Sequence, residues 1–429
     1  MSSSCEFKFD RANAIFYSGE IVTGRIVLKT SSIKSVNRIY ILFLGLAKVI
    51  FEEQRSDTTS GNEVRYERVT SHATEMYVKS HTNVYEKGRL PDGTHTFPFS
   101  IPLPLECPTS CVGKYGKISY ELSLVMERFL RYNNVFIRPL TVLQTYNLNL
   151  HPEMSMPIEH EAIRKLCCWP FRSGPINLHL AIPFSGYAAG QTINYKVHID
   201  NMSNRDVKGF SMTLIQIYEF RIRHERRIVS SYYRGEFEPE VVAPEHKRTI
   251  KGHYIIPSLP PTSLAKLIIQ VSYMIRLTVL FSGWHMKWNI DVPITIGTIP
   301  LTQSGDRNAP KEYIPDIKDI QRHTVGDPPP SYNEHQPLFE HSAFIGKLFV
   351  DPDANEYNRT DDFLPMYPVY RNMPLTKPTI EGSQTEMAAS EAAPSEVTPE
   401  ASPEASSEAS PEASSEVTPD TAPKTPPKE

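Results

Sequence analysis

Slid against itself by 171 residues, the chain matches its own second half, with Gly19 on Gly190 and Val36 on Val207 and no gap between them. Val22, Ile26 and Leu28 then meet Ile193, Val197 and Ile199, and Ile39, Ile41, Phe43 and Leu46 meet Phe210, Met212, Leu214 and Ile217. Most matched residues in each stretch keep one parity, so they share one face of a strand. A second set matches at an offset of 153, where Pro108-Thr-Ser meets Pro261-Thr-Ser and Ser119-Tyr120 meets Ser272-Tyr273. Matches in preserved order require one domain design used twice.

Short period-two segments without a helical period predict two packed antiparallel sheets in each copy. The expected fold class is all-β: two tandem immunoglobulin-like β-sandwiches over 1–150 and 175–300, a linker over 151–174, and a disordered C-terminal tail over 301–429. Thirty-seven prolines against twenty glycines agree with extended, helix-poor chain. The polar stretch from Glu52 to Gly93 suits strand edges and loops, and Phe97-Pro-Phe-Ser-Ile-Pro, interrupted by prolines, an edge strand. Beyond residue 380 there is no aromatic, Leu or Ile, and SPEASSEA is followed by SPEASSEV, so this part cannot bury a core. Residues 381–429 carry eleven acidic residues against two lysines, which puts the tail at −9 and the rest of a −4 chain at +5.

The N-terminus MSSSCEFKFD lacks a signal-peptide core, and the longest apolar run, Ile39 to Ala47, is far below the roughly 20 residues that cross a bilayer. An intracellular, cytoplasmic chain is expected, its five cysteines reduced and the sequons at Asn201 and Asn358 unused. No Gly-x-Ser-x-Gly elbow, Walker loop, dinucleotide fingerprint or complete His-Glu-x-x-His occurs, so no enzyme and no cofactor is expected. Cys107 and Cys111 have a metal-ligand spacing but lack a second pair, so no metal is expected. A mildly basic body without a nucleic-acid motif excludes nucleic acid as partner.

Four segments carry candidate function. Asp327-Pro-Pro-Pro-Ser-Tyr-Asn-Glu334 contains Pro-Pro-x-Tyr, the ligand pattern of WW domains. Pro329 and Pro330 hold a polyproline II helix whose rings slot between aromatic residues, while Tyr332 fills its own pocket. Leu364-Pro365-Met366-Tyr367 is a weaker variant that keeps the second proline and the tyrosine. Tyr332 and Tyr367 stand thirty-five residues apart, a coil of roughly 30–35 Å, so the second site is expected to add avidity on a pair of WW domains. Cys167 and Cys168, between Lys165 and the aromatic pair Trp169 and Phe171, form a candidate acylation site, against the plainer reading of a linker whose aromatics pack between the sandwiches. Arg221, Arg223, Arg226 and Arg227 alternate with apolar residues as on a strand with one cationic face, a candidate surface for anionic lipid or an acidic receptor tail. The plainer reading there is a solvated face. Tyr370-Arg-Asn-Met373, the Ser/Thr-Pro dipeptides of the tail and Pro423-Lys-Thr-Pro426 are too short to weigh.

The two sandwiches, the Tyr17-Ser-Gly-Glu-Ile-Val-Thr-Gly24 opening, Cys167-Cys168-Trp169, Ser173-Gly-Pro-Ile176 and the Pro-Pro-Ser-Tyr tail together resemble the α-arrestins, the arrestin-domain-containing adaptors. The resemblance spans about residues 5–335. It implies two arrestin domains that bind membrane receptors or transporters as cargo. It also implies a tail that recruits WW-containing HECT ubiquitin ligases, so that cargo is ubiquitinated and internalised at plasma membrane and endosomes. Many members carry two full Pro-Pro-x-Tyr copies; the second copy here is degenerate. Two alternatives stand beside this adaptor: a retromer-like trafficking scaffold in which the tail motif is incidental, and a thiol-based regulator.

Overall fold

The computed structural model of the chain describes residues 3–58, 64–129, 131–168, 171–283, 287–301, 337–351 and 362–371. All of them belong to one unit, Met1–Pro378. The first sandwich is built from β1 (Ser3–Phe9), β2 (Ile15–Tyr17), β3 (Ile21–Thr30), β4 (Lys34–Thr58), β5 (Val64–Tyr85), β6 (Gly88–Leu90), β7 (Gly93–Pro102), β8 (Cys111–Val112), β9 (Gly116–Arg128) and β10 (Asn134–Leu143). One sheet runs β1-β3-β7 and the facing one β2-β10-β9-β4-β5, with β6 against β4 and β8 against β9.

The second sandwich comprises β11 (Ile158–Cys168), β12 (Phe171–Ile182), β13 (Gly186–Ala188), β14 (Thr192–Asn201), β15 (Val207–Ile222), β16 (Glu225–Glu238), β17 (His246–Ile255), β18 (Ile269–Phe281) and β19 (Trp288–Gly297). Its sheets run β11-β12-β14-β17 and β13-β19-β18-β15-β16, the first topology repeated with β11 added outside β12 and without counterparts of β6 and β8. Both bounds of β3 shift by 171 residues onto β14, and both bounds of β7 and β9 shift by 153 onto β17 and β18. The offset drops because the β4–β5 hairpin is longer than its β15–β16 counterpart.

Period-two patterning explains the strands: Val22, Ile26, Leu28 and their mates Ile193, Val197, Ile199 are all fully buried. The turns before β3 and β14 repeat as well, since Gly19 (φ +87°) and Gly190 (φ +84°) both adopt the left-handed conformation that glycine tolerates without steric cost. The Pro-Thr-Ser repeat is a fastener. The Tyr120 hydroxyl donates to the Pro108 carbonyl (2.7 Å) and the Tyr273 hydroxyl to that of Pro260 (2.6 Å). Thr109 and Thr262 hydroxyl oxygens accept from the backbone N–H groups of Gln144 and Ile296 at 2.9 and 3.0 Å.

Two expectations are corrected. Most of 151–174 is not a linker: short 3-10 turns at Leu148–Leu150 and Pro152–Ser155 lead directly into β11, which pairs antiparallel with β12. A polar segment suffices there because an edge strand needs a backbone partner and only one half-covered face. The polar stretch 52–93 carries β5, which runs for 22 residues as the outer strand of its sheet. The tail is not wholly outside the fold, because β20 (Leu338–His341) and β21 (Met366–Val369) pair antiparallel and pack on the body. Phe339, Phe349, Tyr367 and Val369 supply the apolar surface that the composition beyond residue 380 lacks.

Tyr120→Phe leaves the buried Pro108 carbonyl without its donor and is expected to cost about 1 kcal/mol, and Tyr273→Phe, which strands both the Pro260 carbonyl and the Gln216 amide that donates to the hydroxyl at 3.0 Å, about 2 kcal/mol. Pro108, Thr109, Pro260 and Thr262 border one cleft, so the losses are read from each single variant in urea unfolding rather than from their sum.

Candidate functional site

The exits of the two sandwiches are sewn together. Tyr146 N–H donates to Thr298 Oγ1 at 2.7 Å, Thr298 N–H returns to the Tyr146 carbonyl at 3.0 Å, and the Asn149 side-chain amide donates to the Pro300 carbonyl at 2.8 Å. Beside this seam lies a slot that takes β21. Tyr367, 1% exposed, enters a small cluster with Ile15 and Leu143, flanked by Tyr17, Phe339 and Met366. Its hydroxyl donates to the Ser110 carbonyl at 2.9 Å, and Met366 N–H donates to Thr141 Oγ1 at 3.2 Å.

Three residues on, contacts pass to the second sandwich. Tyr370 N–H donates to the Ala189 carbonyl at 2.8 Å and its hydroxyl to the Thr298 carbonyl at 2.7 Å. Gly190 has no Cβ for a reason beyond its φ: one there would stand 2.5 Å from Val369 Cγ1 and 2.7 Å from Tyr370 N. The partner strand β20 is held by Ser258, whose hydroxyl donates to the Glu340 carbonyl at 3.0 Å and whose carbonyl accepts from Ala343 N–H at 2.7 Å. Arg371 and Glu340 pair at 2.5 Å across the two strands. Further along, Phe349 buries against Ile50 and Val112, and Asp351 pairs with Lys48 at 2.6 Å, both side chains largely covered.

Leu364-Pro-Met-Tyr367 is therefore not a free WW ligand in this conformation, which corrects the expectation for that motif: the ring a WW pocket would take is already buried. Met366-Tyr-Pro-Val369 carries no alternation that would mark a strand in the sequence, and Ser110, Thr141 and Tyr370 are site residues that sequence reasoning missed. Pro329, Pro330 and Tyr332 lie outside the described residues, in the stretch 302–336.

The arginine cluster forms a hairpin, not one cationic face. Arg223 (φ +51°) sits in the turn between β15 and β16, so the chain reverses within the basic run. Glu219 pairs with Arg221 and, at 2.6 Å, with Arg226; Arg227 pairs with Glu225 at 2.8 Å and with Glu53 of the first sandwich at 2.7 Å. The Arg227 guanidinium also lies over the rings of Phe51 (4.3 Å) and Tyr115 (5.3 Å), and Tyr115 meets Phe220 edge-on at 5.8 Å. Neighbouring carboxylates thus offset the charge of Arg221, Arg226 and Arg227, and Arg227 acts as a junction residue.

Cys167 and Cys168 close β11 opposite Arg172 and Phe171, at the hairpin end of the second sandwich; their side chains and Trp169 lie outside the description. Cys107 and Cys111 are free and buried. Burial pushes the Cys111 thiol up to about 12 against a backbone hydrogen bond at Ile118. Burial raises Cys107 as well, the Tyr120 hydroxyl partly opposing it. Among the described residues no three His, Cys, Asp or Glu side chains converge as a metal site, and no helix is long and apolar enough to cross a membrane.

Residues 5–149 match the family described as arrestin (or S-antigen), N-terminal domain, and residues 172–301 the arrestin C-terminal domain. Arrestin domain-containing protein 4 of Homo sapiens is 26% identical over 308 residues, covering 70% of this chain and 72% of that protein. Arrestin domain-containing protein 17 of Caenorhabditis elegans is 24% identical over 347 residues, 72% of this chain and 77% of the relative. Arrestin domain-containing protein 1 of Mus musculus is 22% identical over 302 residues, 70% and 65%.

A thiol whose pKa is raised stays protonated, and hence a poor nucleophile, at pH 8. In the native chain Cys107 and Cys111 are expected to alkylate with iodoacetamide at least about tenfold more slowly than in urea, a difference that peptide mass spectrometry resolves.

Proposed function

Because the chain belongs to the arrestin domain-containing, or α-arrestin, family, we propose that it serves as an adaptor whose arrestin body engages membrane receptors or transporters and whose Pro-Pro-x-Tyr segment recruits WW-containing HECT ubiquitin ligases. The relatives support an arrestin-type adaptor role; the ligase and the cargo belong to the proposal. The observation that carries the ligase half is the placement of Pro329-Pro330-Ser-Tyr332 in the segment between Leu301 and β20, directly after the second sandwich. Tyrosine and prolines in that order offer a WW groove the ring surfaces it recognises at low entropic cost. On this reading the adaptor works in the cytoplasm, peripheral to the plasma membrane and endosomes, and ligase action on bound cargo promotes its ubiquitination, endocytosis and sorting. Members of the family are generally non-enzymatic adaptors, and no chemical step is assigned to this chain.

One observation favours a second reading, a retromer-like scaffold without ligase recruitment: burial of Tyr367 removes the second ligand on which strong bivalent capture would depend. A pull-down with isolated WW domains separates the two. Tyr332→Ala is expected to abolish most binding to a single WW domain, and Tyr367→Ala to leave it within about twofold, because the complete Pro-Pro-x-Tyr motif supplies nearly all of it. Undiminished binding by Tyr332→Ala removes the ligase reading.

A further inference from the structure

The geometry points to the slot beside the inter-sandwich seam as a binding site for an extended strand with tyrosines three residues apart. The chain's own Tyr367 and Tyr370 fill it, and a WW domain can take Leu364–Tyr367 only by displacing that strand. The second half of this inference rests on the ligase reading; the first does not.

The slot reads its occupant in several places. The first sandwich contributes the Ser110 carbonyl to the Tyr367 hydroxyl, Thr141 Oγ1 to Met366 N–H, and the apolar wall of Ile15 and Leu143. The second sandwich contributes the Ala189 carbonyl to Tyr370 N–H and the Thr298 carbonyl to the Tyr370 hydroxyl. Both ring hydroxyls thus end on backbone carbonyls, one in each sandwich. An occupant must present two hydroxyl-bearing rings on an extended backbone, which phenylalanine would not satisfy. Gly190, with no Cβ, lets that backbone approach closely.

The competition follows from sterics. A WW groove encloses the tyrosine ring of its ligand, and here the Tyr367 ring is enclosed by Ile15 and Leu143 instead. One ring cannot occupy both pockets. The affinity of a WW domain for this motif in the intact chain is reduced by the fraction of time the strand is undocked. Four hydrogen bonds and a buried ring set that reduction at about 100-fold or more. Ligase capture of the second motif would also unfasten a strand that touches both sandwiches, so occupancy of that motif reports on the junction.

The test uses the full chain carrying Tyr332→Ala, so that only the second motif is read, and a free peptide of residues 360–373, each titrated with an isolated WW domain. The peptide is expected to bind about 100-fold or more tightly than the chain. Tyr370→Phe lies outside the motif and removes only the hydroxyl on Thr298; it is expected to raise the chain's affinity about fivefold and leave the peptide's unchanged. Thr141→Val, which removes the acceptor of Met366 N–H and leaves the sequence of the motif unchanged, is expected to act in the same direction. Hydrogen exchange on the full chain reads docking without any WW domain: amides of Met366 and Tyr370 are expected to be protected, and to lose protection when saturating WW domain is added.

Equal affinity of peptide and chain, with neither substitution shifting it, overturns the competition. Unprotected amides at 366 and 370 in the free chain overturn the site itself. A peptide that binds no WW domain also overturns the competition, while protected amides that Tyr370→Phe weakens still support the slot. Failure of the ligase reading appears separately, as a chain with intact Tyr332 that binds no WW domain.

Discussion

The short pairing of residues 146–149 with residues 298–300 is the constraint on which the arrangement of this molecule rests. Each sandwich could bury its own faces alone, since its inward residues alternate along every strand and meet across two sheets. What makes the pair a single body is that the backbone leaving the first sandwich and the backbone leaving the second satisfy each other, with Thr298 accepting from Tyr146 and Asn149 donating to Pro300. Buried backbone groups at such exits need partners, and here the partners come from the other sandwich. The slot for β21 is a consequence. It exists because Thr298 and Ala189 are brought beside Ser110, Thr141 and Leu143.

A second contact region works by different chemistry. Phe51, Tyr115 and Phe220 meet edge to face, Arg227 lies over the first two, and Gly113 has no Cβ where one would stand 2.6 Å from the Phe220 ring. Glu53 and Glu225 then satisfy the guanidinium. Aromatic faces and a planar cation tolerate small changes of angle better than a backbone pairing does. Ile268 N–H donating to Glu75 Oε2 at 3.2 Å adds one directional bond between the sandwiches, with the Tyr77 hydroxyl on the same oxygen.

The repeat was legible because it is written in residues that point inward. Gly19 and Gly190 share a backbone conformation, Tyr120 and Tyr273 share a carbonyl fastener, and β2 with β10 repeats as the parallel pair of β13 with β19. Features that depend on contacts between remote segments were not legible. Arg221 to Arg227 read as a cationic strand because the turn at Arg223 and the carboxylate of Glu53, 174 residues away, leave no mark in the local pattern. β11 read as linker because an edge strand with charged residues lacks a full apolar face. Tyr367 read as a ligand because a four-residue strand is too short for periodicity, and the acceptor of its hydroxyl lies 257 residues earlier.

Leu301 at the end of the second sandwich and β20 are both held in the described body, so the two ends of the sequence stretch that carries the Pro-Pro-x-Tyr motif are fixed. Loop closure depends only logarithmically on length, about 0.6 kcal/mol for each doubling, so tethering both ends changes the cost of presenting Tyr332 by little. On the adaptor reading the same anchoring bears on the second motif with full force, because there the docked residues are themselves the candidate ligand. What withholds the Tyr367 ring is the energy of one docked strand, set by Ser110, Thr141, Ala189 and Thr298 rather than by anything in the motif.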